Sequence, residues 1–480
     1  MYILFPPLLA LGCGALLTLW KHPKPRNTFT LLLCLATSCL LALCCFQMEG
    51  RAVTLLTITP LFSISFRIDA VNRVFLLLIA FLWPLACLYA FEYMEAEPHP
   101  RRFFMLYLLA YGCTQLLAMS ANLFTLYLFY EMLTLVTLPL VTHHEDSDSL
   151  QAGMTYLKYT MGGAALGLIG LIVLACNGGS GSFLPGGVAG NSTSMENTDL
   201  LRTAFVLSFV GFGAKAALYP LSRWLPRASV APTPVTALLH AVAVVNAGAF
   251  ACIRLVYDCF GVSLLRGSWA QIIVVLLSAF TIFFGAVYAV RERHLKRRLA
   301  WSTVYNLSYM LFSAAIMTQA GLKGALTHLL FHGMIKIMLF DCAGVFQQKA
   351  QAEYVPELRG IFHAMPWTVV LYTIAGVTLT GIPPFVGFLS KWNILTAAME
   401  NAAWYTWIGA CAVILSSVLA CVYLLEPAIQ MIFLPGQNPR GKDPSWRILM
   451  PLGLLAVSIV LLGIWPDPVW QLLSSATALY

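Results

Sequence analysis

The stretch GFGAKAALYPLSRWLPRA, residues 211–228, decides the fold. It lies late in an apolar run that opens at Ala204, and it sets Lys215 at the depth where hydropathy places the middle of a membrane. Pro220, Arg223, Pro226 and Arg227 follow at once. A cation and a helix breaker in one apolar segment make sense only if the segment is a membrane span interrupted inside protein.

Composition agrees. Of 480 residues, 60% are hydrophobic and 10% charged, with a mean hydropathy of +0.80, whereas ordinary globular domains carry about 25% charged residues. Fourteen runs are long enough to span the roughly 30 Å apolar core of a bilayer. They cover 2–20, 28–47, 71–91, 103–119, 121–142, 155–176, 202–219, 232–257, 270–290, 299–318, 322–347, 366–397, 404–433 and 448–472. The first run has no basic residue ahead of it and no small-residue cleavage pattern behind it, so it reads as a span and not as a removable signal.

With residues at span ends counted to the adjacent loop, odd-numbered loops carry 18 lysines and arginines and even-numbered loops 7. By the positive-inside rule the odd loops are cytoplasmic and both termini face outward. The net charge of +8 is thus a topology signal. It offers no basic, aromatic-interleaved soluble face for nucleic acid. The thirteen cysteines include no C-x-x-C pair, so neither an iron-sulfur nor a zinc site is expected, and no cofactor or metal is assigned. HHEDSDS (143–149) reads as a solvated loop.

Only Lys215, Lys336 and Lys391 fall well inside spans, and each needs a partner or a hydrated cavity. Intramembrane acids are as scarce. Glu131 lies in span 5, Asp341 five residues after Lys336 in span 11, and Glu426 near the cytoplasmic end of span 13. In THLLFHGMIK, His328, His332 and Lys336 recur at intervals of four and share one helix face, a proton-relay pattern. His240, alone at the start of span 8, is a weaker candidate.

The Gly/Pro grammar around Lys215 returns in TLTGIPPFVGFLSKWNIL (378–395), where Gly381, Pro383 and Pro384 precede Lys391. Two such interrupted spans in corresponding halves mark an inverted-repeat transporter. The expected fold is all-α and polytopic, with about fourteen transmembrane helices and discontinuous helices 7 and 12. Residues 1–102 form helices 1–3, 103–257 the first repeat (helices 4–8), 258–433 the second (helices 9–13) and 434–480 helix 14. TLLTITPLFSISFRID (54–69) alternates around Pro60 and predicts a short β-hairpin. A Gly/Ser-rich loop between spans 6 and 7 includes the acceptor pattern Asn191-Ser192-Thr193.

GAKAALYPLSRWLPRASVAPTPVTALLHA, LKRRLAWSTVYNLSYML, THLLFHGMIKIMLFDCAG and GIPPFVGFLSKWNIL, in that order, resemble the antiporter-like subunits of respiratory complex I, Mrp-type cation/proton antiporters and membrane-bound energy-converting hydrogenases. The resemblance covers roughly residues 60–400. It implies proton translocation at Glu131, Lys215, Lys336 and Lys391, with Glu131 and Lys215 as a pair and His240, His328 and His332 as relays along a central hydrophilic axis. The implied partners are other membrane subunits, including homologous antiporter-like ones, and a peripheral redox module. The transported ion is H+, with Na+ open, and the location is the cell (inner) membrane.

Three positions depart from the family. Asn246 stands where some members have a lysine, Trp392 and Asn393 follow Lys391 where many carry acids, and Asp341 replaces an apolar residue. Asp341 is thereby a candidate relay and counter-ion for Lys336 or Lys215. The resemblance does not choose among the branches. A stand-alone cation/proton transporter and an assembly subunit with a vestigial axis stay open as alternatives.

Overall fold

The computed structural model describes residues 2–17, 22–59, 62–177, 182–187, 197–436 and 441–480. Pro60, the acceptor pattern at 191–193 and most of the Gly/Ser-rich loop lie outside the described residues.

Helix occupies every one of the apolar runs. The order begins α1 (Phe5–Leu16), α2 (Pro23–Gln47), β1 (Ala52–Thr57), β2 (Ser63–Arg67), α3 (Ala70–Tyr93), α4 (Pro100–Ala118), α5 (Leu123–Val141) and α6 (Ser147–Cys176). Then follow α7 (Thr198–Gly213), α8 (Trp224–Arg227), α9 (Thr233–Ala241), α10 (Val244–Arg254), a π turn (Leu255–Phe260), α11 (Val262–Leu265), α12 (Trp269–Arg291) and α13 (Leu295–Ala315). The chain continues with α14 (Gln319–Ala350), α15 (Pro366–Thr380), α16 (Val386–Asn401), α17 (Trp404–Phe433), α18 (Trp446–Ile464) and α19 (Asp467–Thr477). Among the described residues nine segments are individually long and apolar enough to cross a membrane. Some of the other runs fall short because they are broken, as at α7, α15 and α16, whereas α4 and α13 are continuous but less apolar.

Side-chain caps set many of the starts. Asp69, Asn122, Asp146, Ser268 and Thr318 each accept a backbone N–H from the first turn of α3, α5, α6, α12 and α14. The hairpin is present, over 52–67 and not 54–69. Its strands pair antiparallel with a bulge between Thr54 and Leu56. Ile68 and Asp69 instead lead into α3, Asp69 as its cap. Asn122 ties the hairpin to α5, donating from Nδ2 to the Ser63 carbonyl at 2.9 Å.

Burial separates centre from rim. The 319–350 and 233–260 segments are buried throughout their apolar windows, whereas only 33% of the α18 window is buried. A helix that is apolar and buried on all sides belongs to the middle of the bundle. α14, with Lys336, is therefore central.

Close backbone approach sets the α6–α7 contact. A Cβ on Gly163 would lie 2.4 Å from Ala214 Cβ and 2.6 Å from the Gly211 carbonyl, while one on Gly162 meets nothing within 4 Å. Small residues let membrane helices approach in this way. Gly163→Ala is expected to cost about 1–3 kcal/mol by overpacking, whereas Gly162→Ala costs nothing and gains up to about 1 kcal/mol of helix propensity. Thermal unfolding of the two variants in detergent checks this, and equal melting temperatures would overturn it.

Candidate functional site

Lys215 sits just past α7, in the irregular segment 214–223. The break is satisfied by side chains. Tyr130 Oη donates to the Phe212 carbonyl at 2.9 Å, and Trp224 Nε1 donates to that of Ala214 at 2.8 Å. Ala217 takes a left-handed φ of 55°, and the Tyr219–Pro220 bond is cis. Gly248 of α10 passes so close that an added Cβ would lie 2.8 Å from Lys215 Cβ.

Lys215 is 0% exposed. Its Nζ donates to the Tyr130 carbonyl and lies 3.5 Å from the centre of the Tyr130 ring. The bond thus goes to the main chain of the residue before Glu131 and not to the Glu131 carboxylate. Glu131 Oε1 is buried with no protein hydrogen-bond partner.

The second break repeats the pattern. α15 ends on Gly381, at φ 88°, the Pro383–Pro384 bond is cis, and α16 begins at Val386. Gly387 presses on α15, since a Cβ there would fall 1.8 Å from the Thr378 carbonyl. Lys391 reaches back to donate to the Thr380 carbonyl at 2.8 Å, a cation at a helix C-terminus.

Lys336, 0% exposed, donates to the Leu299 carbonyl at 2.9 Å and to Ser302 Oγ on α13. The α14 face carries its histidines as the spacing predicts. The His328 and His332 rings are 5.8 Å apart, and His328 Nδ1 lies 3.1 Å from Ser390 Oγ, one residue before Lys391. Tyr309 fills the remaining gap, 5.2 Å from His328 and 5.8 Å from Lys391 Nζ. His240 stacks on Phe340 at 4.4 Å, and Lys336 Nζ lies 6.0 Å from the same ring. Both nitrogens of His240 and of His332, and Nε2 of His328, are buried with no protein partner.

Asp341 corrects an expectation. It pairs with no lysine among the described residues. Five residues turn an α-helix through about 500°, so Asp341 points some 140° away from Lys336. Its main-chain carbonyl accepts from Tyr89 Oη of α3 at 3.1 Å, and its Oδ1 has no protein partner.

Three features escape the sequence reading. Span 8 is itself broken at Val242–Ala243, where Asn246 Nδ2 donates to the Ala241 carbonyl at 2.7 Å. A side chain competing for a main-chain acceptor does here what proline does elsewhere. On α13, Arg298, Ser302, Tyr305 and Tyr309 form a polar stripe at helical spacing. Arg298 binds Glu426 at 2.8 Å, and Tyr305 and Tyr423 share a hydrogen bond of 2.6 Å, so the stripe joins the 291–298 basic face to Ser302 and Lys336. The i, i+4, i+7, i+11 pattern was readable in LKRRLAWSTVYNLSYML. Third, Arg254, 1% exposed, bridges Asp69 and Asp258.

At the basic face, outside the spans, His144 binds Glu97 at 2.9 Å, which raises its pKa. Buried Lys296 stands near Glu353 and Glu97, and burial lowers it to about 8.

Comparison with known proteins matches residues 120–419 to the model described as NADH:quinone oxidoreductase/Mrp antiporter, TM, and 59–104 to that for the N-terminus of chain 5 of NADH-ubiquinone oxidoreductase (complex I). Hydrogenase-4 component B of Escherichia coli K12 is 31% identical over 387 residues, 78% of this chain and 54% of its own. The chain therefore spans about half of that relative. F(420)H(2) dehydrogenase subunit N of Methanosarcina mazei is 28% identical over 98% of this chain and 96% of its own. The fold matches a chain of the membrane-bound sulfane sulfur reductase, an archaeal respiratory membrane complex, with a TM-score of 0.86 and 24% identity over 100% of this chain and 96% of the other. With the family model matched over well more than half its length, the chain belongs to the NADH:quinone oxidoreductase/Mrp antiporter transmembrane family.

Proposed function

We propose that this chain is a proton-translocating, antiporter-like subunit of a multisubunit redox-driven pump or cation/proton antiporter. It crosses the cell (inner) membrane fourteen times with both termini outward, and spans 4–8 and 9–13 are inverted repeats. Its neighbours are homologous membrane subunits and, in a redox-driven pump, a peripheral redox module.

One observation carries the reading. Lys215, Lys336 and Lys391 are at most 5% exposed, yet each donates to a main-chain carbonyl and none to a carboxylate. A structural ion pair needs its anion beside it, because an unpaired buried charge costs several kcal/mol. A lysine on a neutral acceptor can release its proton and strand no anion. Desolvation favours release, and Glu131, one residue from the Lys215 acceptor, favours uptake.

A proton leaving Lys215 passes along His240, Lys336, His332 and His328 to Lys391, and the α13 stripe connects Lys336 to the basic face. Asp341, turned away, acts outside that line. The partnerless imidazole nitrogens suit bridging water, since buried polar groups are normally bonded.

Purification of the tagged chain from native membranes in mild detergent, with mass spectrometry of partners and an absorbance scan, tests the proposal. Hydrogenase-like or complex I-like partners with iron-sulfur absorption support a redox-driven pump, and colourless Mrp-type partners an antiporter. A stable lone monomer would overturn the multisubunit reading.

A further inference from the structure

A cleft of about 480 Å³ opens on the face that carries the 291–298 basic cluster, between α6, α8, α12 and α13. Arg223, Arg227 and Arg297 line it, all exposed. Among the described residues none of the three has a carboxylate within ion-pair distance, and Arg227 Nη1 only reaches Thr155 Oγ1 at 3.4 Å. Asp148 is the one acid in the lining, so the cleft keeps a positive excess.

Its other wall is aromatic. Tyr288 and Trp301 are 4.7 Å apart and Phe284 and Tyr288 4.6 Å. From there an apolar track runs down α12. Tyr288, Phe280 and Ile273 are 38, 49 and 43% exposed, and with Phe284 they stand at intervals of four and seven residues, on one helix face.

An arginine triad lining one cleft, an aromatic collar beside it and an exposed apolar strip leading from it match a molecule with an anionic head and an acyl tail. Neither an acidic peptide nor a free anion would use the strip. We infer that this cleft binds the head group of an anionic phospholipid, with one acyl chain laid along α12. Clusters of basic side chains attract anionic lipids on the cytoplasmic side, each lysine or arginine adding a similar increment, and aromatic rings favour head-group depth.

The occupant would touch the switch segment. Tyr219 packs on Phe280 at 4.9 Å and on Phe284 at 5.1 Å, and its N–H donates to Thr281 Oγ1 at 3.2 Å. A lipid on this track braces the segment that holds Lys215. That consequence rests on the proposed role of Lys215, whereas the binding itself does not.

The test titrates the delipidated full-length chain, in its native complex where it has one, with phosphatidylglycerol or phosphatidylcholine in detergent and counts retained lipid by native mass spectrometry. Wild type is expected to retain one phosphatidylglycerol at least tenfold more tightly than phosphatidylcholine. Arg223→Gln with Arg297→Gln should weaken it about 25-fold, roughly fivefold for each arginine. Arg291→Gln with Arg293→Gln, on the same face but outside the cleft, should leave retention unchanged and shows that the fold survives charge removal there. Equal retention of the two lipids, or wild-type retention in the cleft variant, would overturn the inference. So would displacement by inorganic phosphate, which assigns a free anion. A cross-link from Thr155→Cys to a neighbouring subunit in the native complex would put protein in place of lipid and equally overturn it.

Discussion

Lys215→Arg is expected to abolish proton translocation while leaving the chain in place. Arginine keeps the positive charge beside Tyr130 and Glu131 but does not give up its proton at any attainable pH. If Lys215 were only a fixed counter-charge, arginine would do. If it carries the proton, arginine fails as alanine does. Lys215→Ala removes both the charge and the donor to the Tyr130 carbonyl, and Glu131→Gln keeps the shape and removes the carboxylate. All three variants should lower the initial rate of gradient formation in inverted membrane vesicles by tenfold or more, with chain abundance near wild type on immunoblots. A normal gradient in Lys215→Ala or Glu131→Gln would sink the switch reading. A working Lys215→Arg would reduce Lys215 to a static charge.

The breaks that hold these lysines were legible because their causes are local. Pro220 and Pro226, and Gly381, Pro383 and Pro384, punctuate the sequence where the backbone is interrupted, and Lys215 and Lys391 stand within a few residues of them. The nine long apolar helices among the described residues were legible for an equally simple reason: lipid demands a fixed apolar length. The helix face shared by His328, His332 and Lys336 follows from spacing alone.

What stayed hidden depends on partners far away in the chain. The break at 242–243 contains no proline, and its cause is the amide of Asn246. Asp341 invited a pairing with Lys336, yet helical rotation separates them, and Tyr89 of α3 bonds only its main-chain carbonyl. The bond from Lys215 to the Tyr130 carbonyl, not to Glu131, is a difference of one residue that no pattern encodes. Arg254 went unnoticed because it falls near the end of an apolar run, where a snorkelling arginine is ordinary; its partner Asp69 lies 185 residues away.

Arg254 yields the largest stability effect expected in this chain. It donates through Nη2 to both oxygens of Asp69, at 2.6 and 2.7 Å, and through Nη1 to Asp258 Oδ2 at 2.8 Å. Tyr480 Oη donates to the other oxygen of Asp258, and Asp69 also caps α3. One guanidinium thus joins the start of α3 to the π turn and, through Asp258, to Tyr480. The π turn carries Asp258 four residues beyond Arg254, within reach of Nη1. Arg254→Met strands two carboxylates, one of them 1% exposed, and is expected to cost about 3–5 kcal/mol. Lysine offers one nitrogen where Arg254 serves the two acids from separate nitrogens of a planar fork, so Arg254→Lys should recover only part of the loss. Adding Asp69→Asn and Asp258→Asn to Arg254→Met removes the stranded charges and should recover more, because most of the cost is the uncompensated anions and not the missing contact. Thermal unfolding of the four proteins in one detergent decides the matter. If Arg254→Met melts with wild type, the cluster is solvated and holds nothing together. If the triple variant melts no higher than Arg254→Met alone, packing of the guanidinium between Phe183 and Phe250, each 5.2 Å away, outweighs its charge.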